Sequence, residues 1–343
     1  MGGPVARGRT VLARRAAAVV GMVAILATGC SSTDDSSSDL PTIEPATPAA
    51  APATTTDPAG TVRAFPAVDE LITVPGSTVL AAWTTDEQLL LLDGAGAEPR
   101  GVDLPFEANT VDAGPDGTVL VLGSDELARV DVGSGEVTSQ ATLDGELVSA
   151  AVLADGHLLI GTADGTVWNI APDPAGVDRP TTIDGLASAD VVVTSGDAAA
   201  VLDRRQTSIT ELDLVDGRLG IALRAGTGAS EMISDPFGRV MVTNTNGDEL
   251  LVYTLDSLVL RQRYPVGPAP YAVTYDAARD LVWVTLTGSN EVVGYDLSTG
   301  IPRERHRFAT VRQPNSVAVD PADGTLVVAS ATGDGLQRIP VEG

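Results

Sequence analysis

From residue 61 onward, the chain alternates short hydrophobic runs with clusters of Gly, Asp, Asn and Pro. The runs are rich in Val, Leu and Ile, as in residues 118–123 (TVLVLG) and 325–330 (TLVVAS). Short runs of this kind, bounded by turn residues, are typical of β-strands, and no segment has the 3.6-residue period of an amphipathic helix. The pattern therefore predicts an all-β domain.

The strand pattern also repeats along the chain. Successive repeats start 39–44 residues apart, at Val68, Ala108, Leu147, Ala187, Ala229, Pro270 and Pro314. Four short strands in about forty residues is the spacing of a β-propeller blade. Seven repeats therefore predict a seven-bladed β-propeller.

The last repeat has room for only three strands before the sequence stops. Residues 61–65 (TVRAF), at the start of the domain, have the character of the outer strand predicted at residues 305–310 (RHRFAT). We therefore expect the N-terminal strand of the domain to complete the last blade. This arrangement closes the ring and removes edge strands that would otherwise promote aggregation.

The first 29 residues have the pattern of a secretory signal: Arg14 and Arg15, an apolar run over residues 16–26, and then Ala27-Thr28-Gly29-Cys30. The apolar run is too short to span a bilayer permanently. The ending resembles the bacterial lipobox, although Ala27 stands where the lipobox prefers Leu. The resemblance implies that residues 1–29 are a signal peptide and that Cys30 carries two acyl chains, which suffice for stable membrane anchoring. A cleaved signal followed by an unmodified thiol is the alternative.

Residues 31–60 are dominated by Ser, Thr, Ala, Pro and Asp. Such a composition offers little to bury and is typical of disordered linkers. The expected organisation is a signal peptide (1–29), a lipidated Cys30 with a disordered tether (30–60), and a β-propeller (61–343). We expect an exported, monomeric protein anchored to the outer face of the cytoplasmic membrane.

The charge excludes one class of partner. The formal net charge is −25, and the basic residues are all Arg because the chain contains no Lys. A surface this acidic repels phosphate backbones, so nucleic acid is not an expected partner. Cys30 is the single Cys, so no disulfide can form within the chain.

Several repeats resemble those of YVTN-type propellers, in which a Tyr-Val-Thr-Asn strand leads through a turn and a second Val-rich strand to Asp-x-x-Thr-Gly. Residues 270–300 match this repeat best, residues 314–330 come next, and residues 239–244 (RVMVTN) carry its first strand. The resemblance covers roughly residues 229–343. The family occurs in envelope proteins and in lactonase-like enzymes, so the resemblance implies an architecture and leaves the function open.

Motifs that carry catalysis are missing from the sequence. It contains no G-x-S-x-G, H-E-x-x-H or C-x-x-C, and a phosphate-binding loop would need a Lys. His157 and His306 fall in different repeats and are expected to be ordinary strand or turn residues. Asp235, Asp276 and Asp320 occupy the same slot in successive repeats, which indicates that they stabilise turns.

Propellers bind ligands where their inner strands converge on the central channel. The second residue of each repeat is expected at the channel rim, which places Asp69, Asn109, Val148, Ser188, Ser230, Tyr271 and Asn315 there. Asp112 and Glu231 add negative charge nearby. We predict a ligand site formed by Asp69, Asn109, Asp112, Ser230, Glu231, Tyr271 and Asn315. Such oxygens could hold Ca²⁺ or a polar ligand, but no motif specifies a metal, and we expect no cofactor. A hydrated channel without a ligand is the alternative.

Three functions are compatible with these features. The first is a non-catalytic binding or scaffold module in the cell envelope, with a protein or glycan as partner. The second is a lactonase-like or other metal-assisted hydrolase with its site at the channel mouth. The third is a relative of quinoproteins, suggested only by residues 161–170 (GTADGTVWNI). The predicted anchor and the missing catalytic motifs favour the first.

Overall fold

The computed structural model describes residues 1–3, 40–94, 96–172 and 180–342. Twenty-eight strands form seven four-stranded antiparallel sheets, and the described residues contain no α-helix beyond one short 3-10 turn at Thr245–Gly247. The protein is a seven-bladed β-propeller, which confirms the fold predicted from the repeats. No helix in the described part of the chain has the length and apolar character needed to cross a membrane.

The strands of each blade follow one another from the channel outward. The first four blades comprise β2–β5 (Val68–Thr73, Leu80–Thr84, Leu89–Leu92, Arg100–Val102), β6–β9 (Ala108–Ala113, Thr118–Gly123, Glu126–Asp131, Val137–Thr142), β10–β13 (Leu147–Val152, Leu158–Thr162, Val167–Ile170, Thr181–Ile183) and β14–β17 (Val191–Ser195, Ala198–Asp203, Ser208–Asp213, Arg218–Arg224).

The remaining three blades comprise β18–β21 (Ala229–Ser234, Arg239–Asn244, Glu249–Thr254, Val259–Pro265), β22–β25 (Pro270–Asp276, Leu281–Leu286, Glu291–Asp296, Arg303–Ala309) and β26–β28 (Pro314–Val319, Leu326–Ser330, Leu336–Ile339) with β1 (Thr61–Arg63).

The seventh blade takes its outer strand from the start of the domain. β1 pairs antiparallel with β28, so that Val62 lies opposite Gln337. Phe65, which follows β1, is buried in the hydrophobic cluster shared by the seventh and first blades. The two ends of the propeller are thereby joined through one sheet, and β28 is left without a free edge.

The predicted repeat starts coincide with the first residue of an inner strand in six blades. The exception is the fourth blade, whose inner strand begins at Val191 and not at Ala187. The buried carboxylate of Asp203 explains the difference, because its Oδ2 accepts hydrogen bonds from the backbone N–H groups of Ala187 (2.8 Å) and Ser188 (3.3 Å). These bonds hold the segment in a loop.

Repeated aspartates stabilise the turns between inner strands and their neighbours, as predicted. Asp235 Oδ1 accepts hydrogen bonds from the backbone N–H groups of Phe237 (2.9 Å) and Arg239 (3.0 Å). Asp276 and Asp320 bind turn N–H groups in the same way. All three carboxylates are buried, so they belong to the architecture of the blades.

Residues 40–60 differ from the disordered tether that their composition predicts. Residues 43–52, which we name the strap, run from the fourth blade to the sixth and seventh. Ala46 and Ala51 are only 4% and 7% exposed. Side chains of the propeller bind the strap backbone through three residues: Arg204 (Nη2 to Ala46 O, 2.7 Å), Gln313 (Nε2 to Ala49 O, 3.0 Å; Oε1 from Ala51 N, 2.9 Å) and Asn290 (Nδ2 to Pro52 O, 2.9 Å).

The strap needs no large side chain because its backbone groups supply the interactions. Prolines fix part of its backbone in advance, which lowers the entropy lost when it becomes ordered. Cys30 and the remainder of the predicted tether, up to residue 39, lie outside the described residues.

Gln313→Ala is expected to loosen the strap. The Gln313 side chain is 8% exposed and also donates from Nε2 to Asn315 Oδ1 at 2.9 Å. Removing it leaves buried backbone groups unpaired, which should lower the free energy of unfolding by about 1–3 kcal/mol. Urea unfolding measures this loss, and limited proteolysis should show faster cleavage within residues 43–52.

Gln140→Ala is the matched control, since Gln140 is exposed on an outer strand. Equal proteolysis of the two variants would contradict the observed docking of the strap.

Candidate functional site

The inner strands converge on a cavity of about 270 Å³, which we name the channel-mouth cavity. Five carboxylates line it: Asp69, Glu70, Asp112, Asp190 and Glu231. Arg204 is the single cation among the described lining residues. The cavity is therefore both polar and strongly acidic.

A recurring irregularity decides which side chains reach this cavity. In six blades the register of the inner strand shifts just after its first residue, in β2, β6, β10, β18, β22 and β26. A bulge re-aims the side chains that follow it. As a result the third residue of each of these repeats lines the cavity, namely Glu70, Thr110, Ser149, Glu231, Ala272 and Ser316.

Five of the seven residues predicted for the ligand site line the cavity: Asp69, Asn109, Asp112, Glu231 and Asn315. Val148, which the repeat alignment also placed at the rim, lines it as well.

Ser230 and Tyr271 do not line the cavity. Ser230 is fully buried and its hydroxyl contacts the hydroxyls of Thr243 (3.2 Å) and Thr245. Tyr271 is half-buried beside the cavity. Ser188, also expected at the rim, is buried and bonded to Asp203. Placing the second residue of every repeat in the channel was therefore wrong for Ser188 and Ser230, whose hydroxyls form buried hydrogen bonds. Tyr271 lies beside the cavity, where the charges of Glu231 and Arg204 act on its hydroxyl.

Three charged residues of the cavity were missed from the sequence. Glu70 was detectable, since it occupies the same third position as Glu231. Asp190 and Arg204 come from the irregular fourth blade, where the repeat pattern gives no guide. The backbone N–H of Arg204 donates to Asp190 Oδ2 at 2.7 Å, which ties the two together.

The carboxyl groups of the cavity resist ionisation. Burial raises the pKa of Glu231 to about 7, although the nearby charge of Arg204 opposes the rise. Burial likewise raises the pKa of Asp112 to about 7, while a hydrogen bond from Ala150 N (2.6 Å) opposes it. The pKa of Glu70 lies well above its ordinary value, because the group is buried and because Asp112 and Glu231 are close.

Burial also raises the pKa values of Asp190 and Asp69. The pKa of the Tyr271 hydroxyl is raised by burial and by the charge of Glu231, so this phenol stays neutral. Near neutral pH the cavity therefore holds carboxyl groups that are only partly ionised, and their charge responds to whatever is bound.

Arg204 connects the cavity to the strap. Arg204 lines the cavity, and its Nη2 donates to Ala46 O. On the opposite side, Gln313 binds both the strap and Asn315, another lining residue. The position of the strap is thus coupled to two side chains of the cavity wall.

In the described part of the chain, no three His, Cys, Asp or Glu side chains lie close enough together to hold a metal ion. The two histidines lie in the third and sixth blades. His157 Nδ1 is 2.8 Å from Asn169 Oδ1, and His306 stacks on Trp283 with 5.7 Å between ring centroids. Both occupy the ordinary structural positions expected of them.

No protein-family pattern and no curated protein matches the sequence. The fold does resemble those of several solved structures. The chain is similar to hydrazine synthase from Kuenenia stuttgartiensis, with a TM-score of 0.67, 13% identity, and coverage of 82% of this chain and 97% of that one. It is also similar to a chain of the mitotic checkpoint complex, with a TM-score of 0.68, 13% identity, and coverage of 88% and 100%.

A third similar structure is the β-propeller domain of Cps50 (Swd1) from Myceliophteria thermophila, with a TM-score of 0.67, 9% identity, and coverage of 82% and 98%. The structural similarity establishes the propeller architecture. At identities this low it gives no information about function.

Proposed function

We propose that this protein is an exported lipoprotein, anchored through Cys30 to the outer face of the cytoplasmic membrane, whose propeller is a non-catalytic binding module of the cell envelope. The ligand site is the channel-mouth cavity. The observation that carries this proposal is the set of five carboxyl groups gathered around one polar cavity. Their pKa values, raised by burial, show that the fold tolerates a destabilising arrangement there, as binding and catalytic sites commonly do.

The lipobox-like sequence ending at Cys30 supports the anchor, and the YVTN-like repeats over residues 229–343 support a place in the cell envelope. The docked strap adds a constraint. Because residues 43–52 are bound to the propeller, the spacer that remains is the twelve residues between Cys30 and Ile43. Fully extended, these residues reach at most about 43 Å.

Replacement of Cys30 tests the anchor. Cys30→Ala removes the thiol that would receive the acyl chains, so the exported protein should move from the detergent phase to the aqueous phase in Triton X-114 partitioning. Mass spectrometry should show the loss of the acyl mass.

Ala27→Leu is the control, since it restores the residue that the lipobox prefers and should keep the protein in the detergent phase. Unchanged partitioning of Cys30→Ala would contradict the lipoprotein assignment.

A hydrolase with its site at the same cavity is a second candidate. Asp112 and Glu231 have pKa values of about 7, which suits general acid–base catalysis at neutral pH. Turnover of a lactone by the wild type, lost in Glu231→Gln, would favour this candidate over a binding module.

A further inference from the structure

The wall of the channel-mouth cavity carries more carboxyl groups than its one guanidinium can neutralise. Arg204 lies beside Asp190 and Glu231, and its Nη2 is bound to Ala46 O of the strap. Glu70 and Asp112 have other carboxyl groups as their charged neighbours, and these neighbours raise the pKa of each. Among the residues that the structure describes, no cation therefore acts on Glu70 or Asp112.

An unpaired hydroxyl also lies in the wall of this cavity. Ser316 lines the cavity and is 3% exposed, yet its Oγ has no hydrogen-bond partner among the described residues. Ser149 occupies the equivalent third position of another repeat, and its hydroxyl donates to Ala189 O at 2.7 Å. A buried hydroxyl without a partner costs about 1–3 kcal/mol. Its oxygen can accept a hydrogen bond from an N–H donor.

We infer that the channel-mouth cavity binds a small organic cation, an alkylguanidinium or alkylammonium group, with Glu70, Asp112 and Glu231 as charge partners and Ser316 as a hydrogen-bond acceptor. The inference rests on the proposed function of this cavity and names the class of ligand. The cation supplies positive charge beside Glu70 and Asp112 and an N–H donor for Ser316 Oγ.

The distribution of the acceptors favours an organic cation over a metal ion. The carboxylates are spread around the wall, and in the described residues no three of them converge on one point. A guanidinium carries five N–H donors in a plane and an ammonium carries three, so either reaches several separate acceptors. The cavity volume of about 270 Å³ suits the tip of a side chain or a small amine.

Binding is coupled to proton release. Glu70, Asp112 and Glu231 are partly protonated near neutral pH, and Asp69 and Asp190 have raised pKa values as well. An incoming cation favours the ionised carboxylates and displaces their protons. Tyr271 stays neutral because burial raises the pKa of its hydroxyl, so it contributes no proton. Affinity should therefore increase from pH 6 to pH 8, by up to about tenfold per pH unit for one displaced proton.

Isothermal titration calorimetry of the full-length protein with butylguanidinium and with butylurea tests the inference. The two probes have nearly the same shape, but butylurea carries no charge. Butylguanidinium should bind at least about tenfold more tightly, a difference of ~1.4 kcal/mol. Its apparent enthalpy at pH 7.5 should differ between phosphate and Tris buffers, because the released protons are taken up by the buffer.

Three variants locate the site. Glu231→Gln should weaken butylguanidinium binding at least about tenfold. Ser316→Ala should weaken it a few-fold without lowering the melting temperature, since it removes a hydroxyl that has no partner in the free protein. Glu136→Gln is the control, because Glu136 is exposed and lies outside the cavity, and it should bind as the wild type does.

Equal affinity for butylurea, lost in Glu231→Gln, would overturn the organic cation while leaving the channel-mouth cavity as a binding site. Binding of butylguanidinium that is unchanged in Glu231→Gln would overturn both the inference and the proposed site. A lack of butylguanidinium binding at pH 8 would overturn the inference alone, since the proposed function also allows an uncharged ligand.

Discussion

Glu231→Gln is expected to make the protein more stable at pH 8 and to leave its stability nearly unchanged at pH 4. Glu231 has a pKa of about 7 in the folded protein and a reference value of 4.5 in an unfolded chain. The folded state therefore holds the proton more tightly, and stability falls as the pH rises from 4.5 to 7. Glutamine cannot ionise, so this loss disappears in the variant.

The size of the effect follows from the shift in pKa. The wild type loses up to about 3 kcal/mol at this residue above pH 7, at about 1.4 kcal/mol for each unit of pKa. Urea unfolding at pH 4, 6 and 8 measures this difference. The curves of the two proteins should coincide at pH 4, and the difference in their free energies of unfolding should increase with pH. Glu136→Gln, at an exposed position, should show no gap. A variant less stable than the wild type at pH 8 would mean that the Glu231 carboxylate is ionised and favourably paired.

Deletion of residues 61–65 is expected to open the ring. The deletion removes β1, which pairs with β28 over three residues, and Phe65, which is 7% exposed. Loss of a buried phenylalanine side chain alone costs about 3–5 kcal/mol. The melting temperature should fall by several degrees or more, and β28 should become a free edge that promotes association.

Differential scanning calorimetry and light scattering measure the two consequences. The double variant Thr61→Ala, Val62→Ala is the control, because both side chains are exposed while the backbone of β1 is kept. It should melt close to the wild type. An unchanged melting curve for the deletion would show that β1 does not hold the ring closed.

The sequence predicts the blades well because each blade has the same local pattern of strand and turn residues. Alternating hydrophobic runs and turn residues such as Asp235, Asp276 and Asp320 locate the strands within a few residues. The fourth blade departs from the pattern at Ala187. There a buried, long-range contact to Asp203 outweighs local strand preference, and no local pattern reports such a contact.

The candidate site is only partly predictable for a similar reason. Counting positions from the repeat start identified Asp69, Asn109 and Asn315, but a bulge brings the third position, which includes Glu70, into the lining as well. Arg204 reaches the cavity from the loop between the second and third strands of its blade, which spacing along the chain does not reveal.

The strap shows that amino-acid composition alone does not predict whether a segment is ordered. Small and Pro-rich residues predict disorder when only side-chain burial is counted. In residues 43–52 the backbone provides the interactions, and the partners are side chains of Arg204, Asn290 and Gln313, far away in sequence. Order in such a segment depends on distant polar residues rather than on its own hydrophobicity.

A thermal-shift screen of the full-length protein tests the central claim, that the channel-mouth cavity is the ligand site, most directly. Wild type, Glu231→Gln and Glu136→Gln would be compared at pH 7.5 against amines, guanidines, sugars, lactones and cell-wall fragments, since a ligand that binds only the folded state raises its melting temperature. We predict a ligand that stabilises the wild type and Glu136→Gln but not Glu231→Gln. A ligand that stabilises all three proteins equally would place the site elsewhere and contradict the claim.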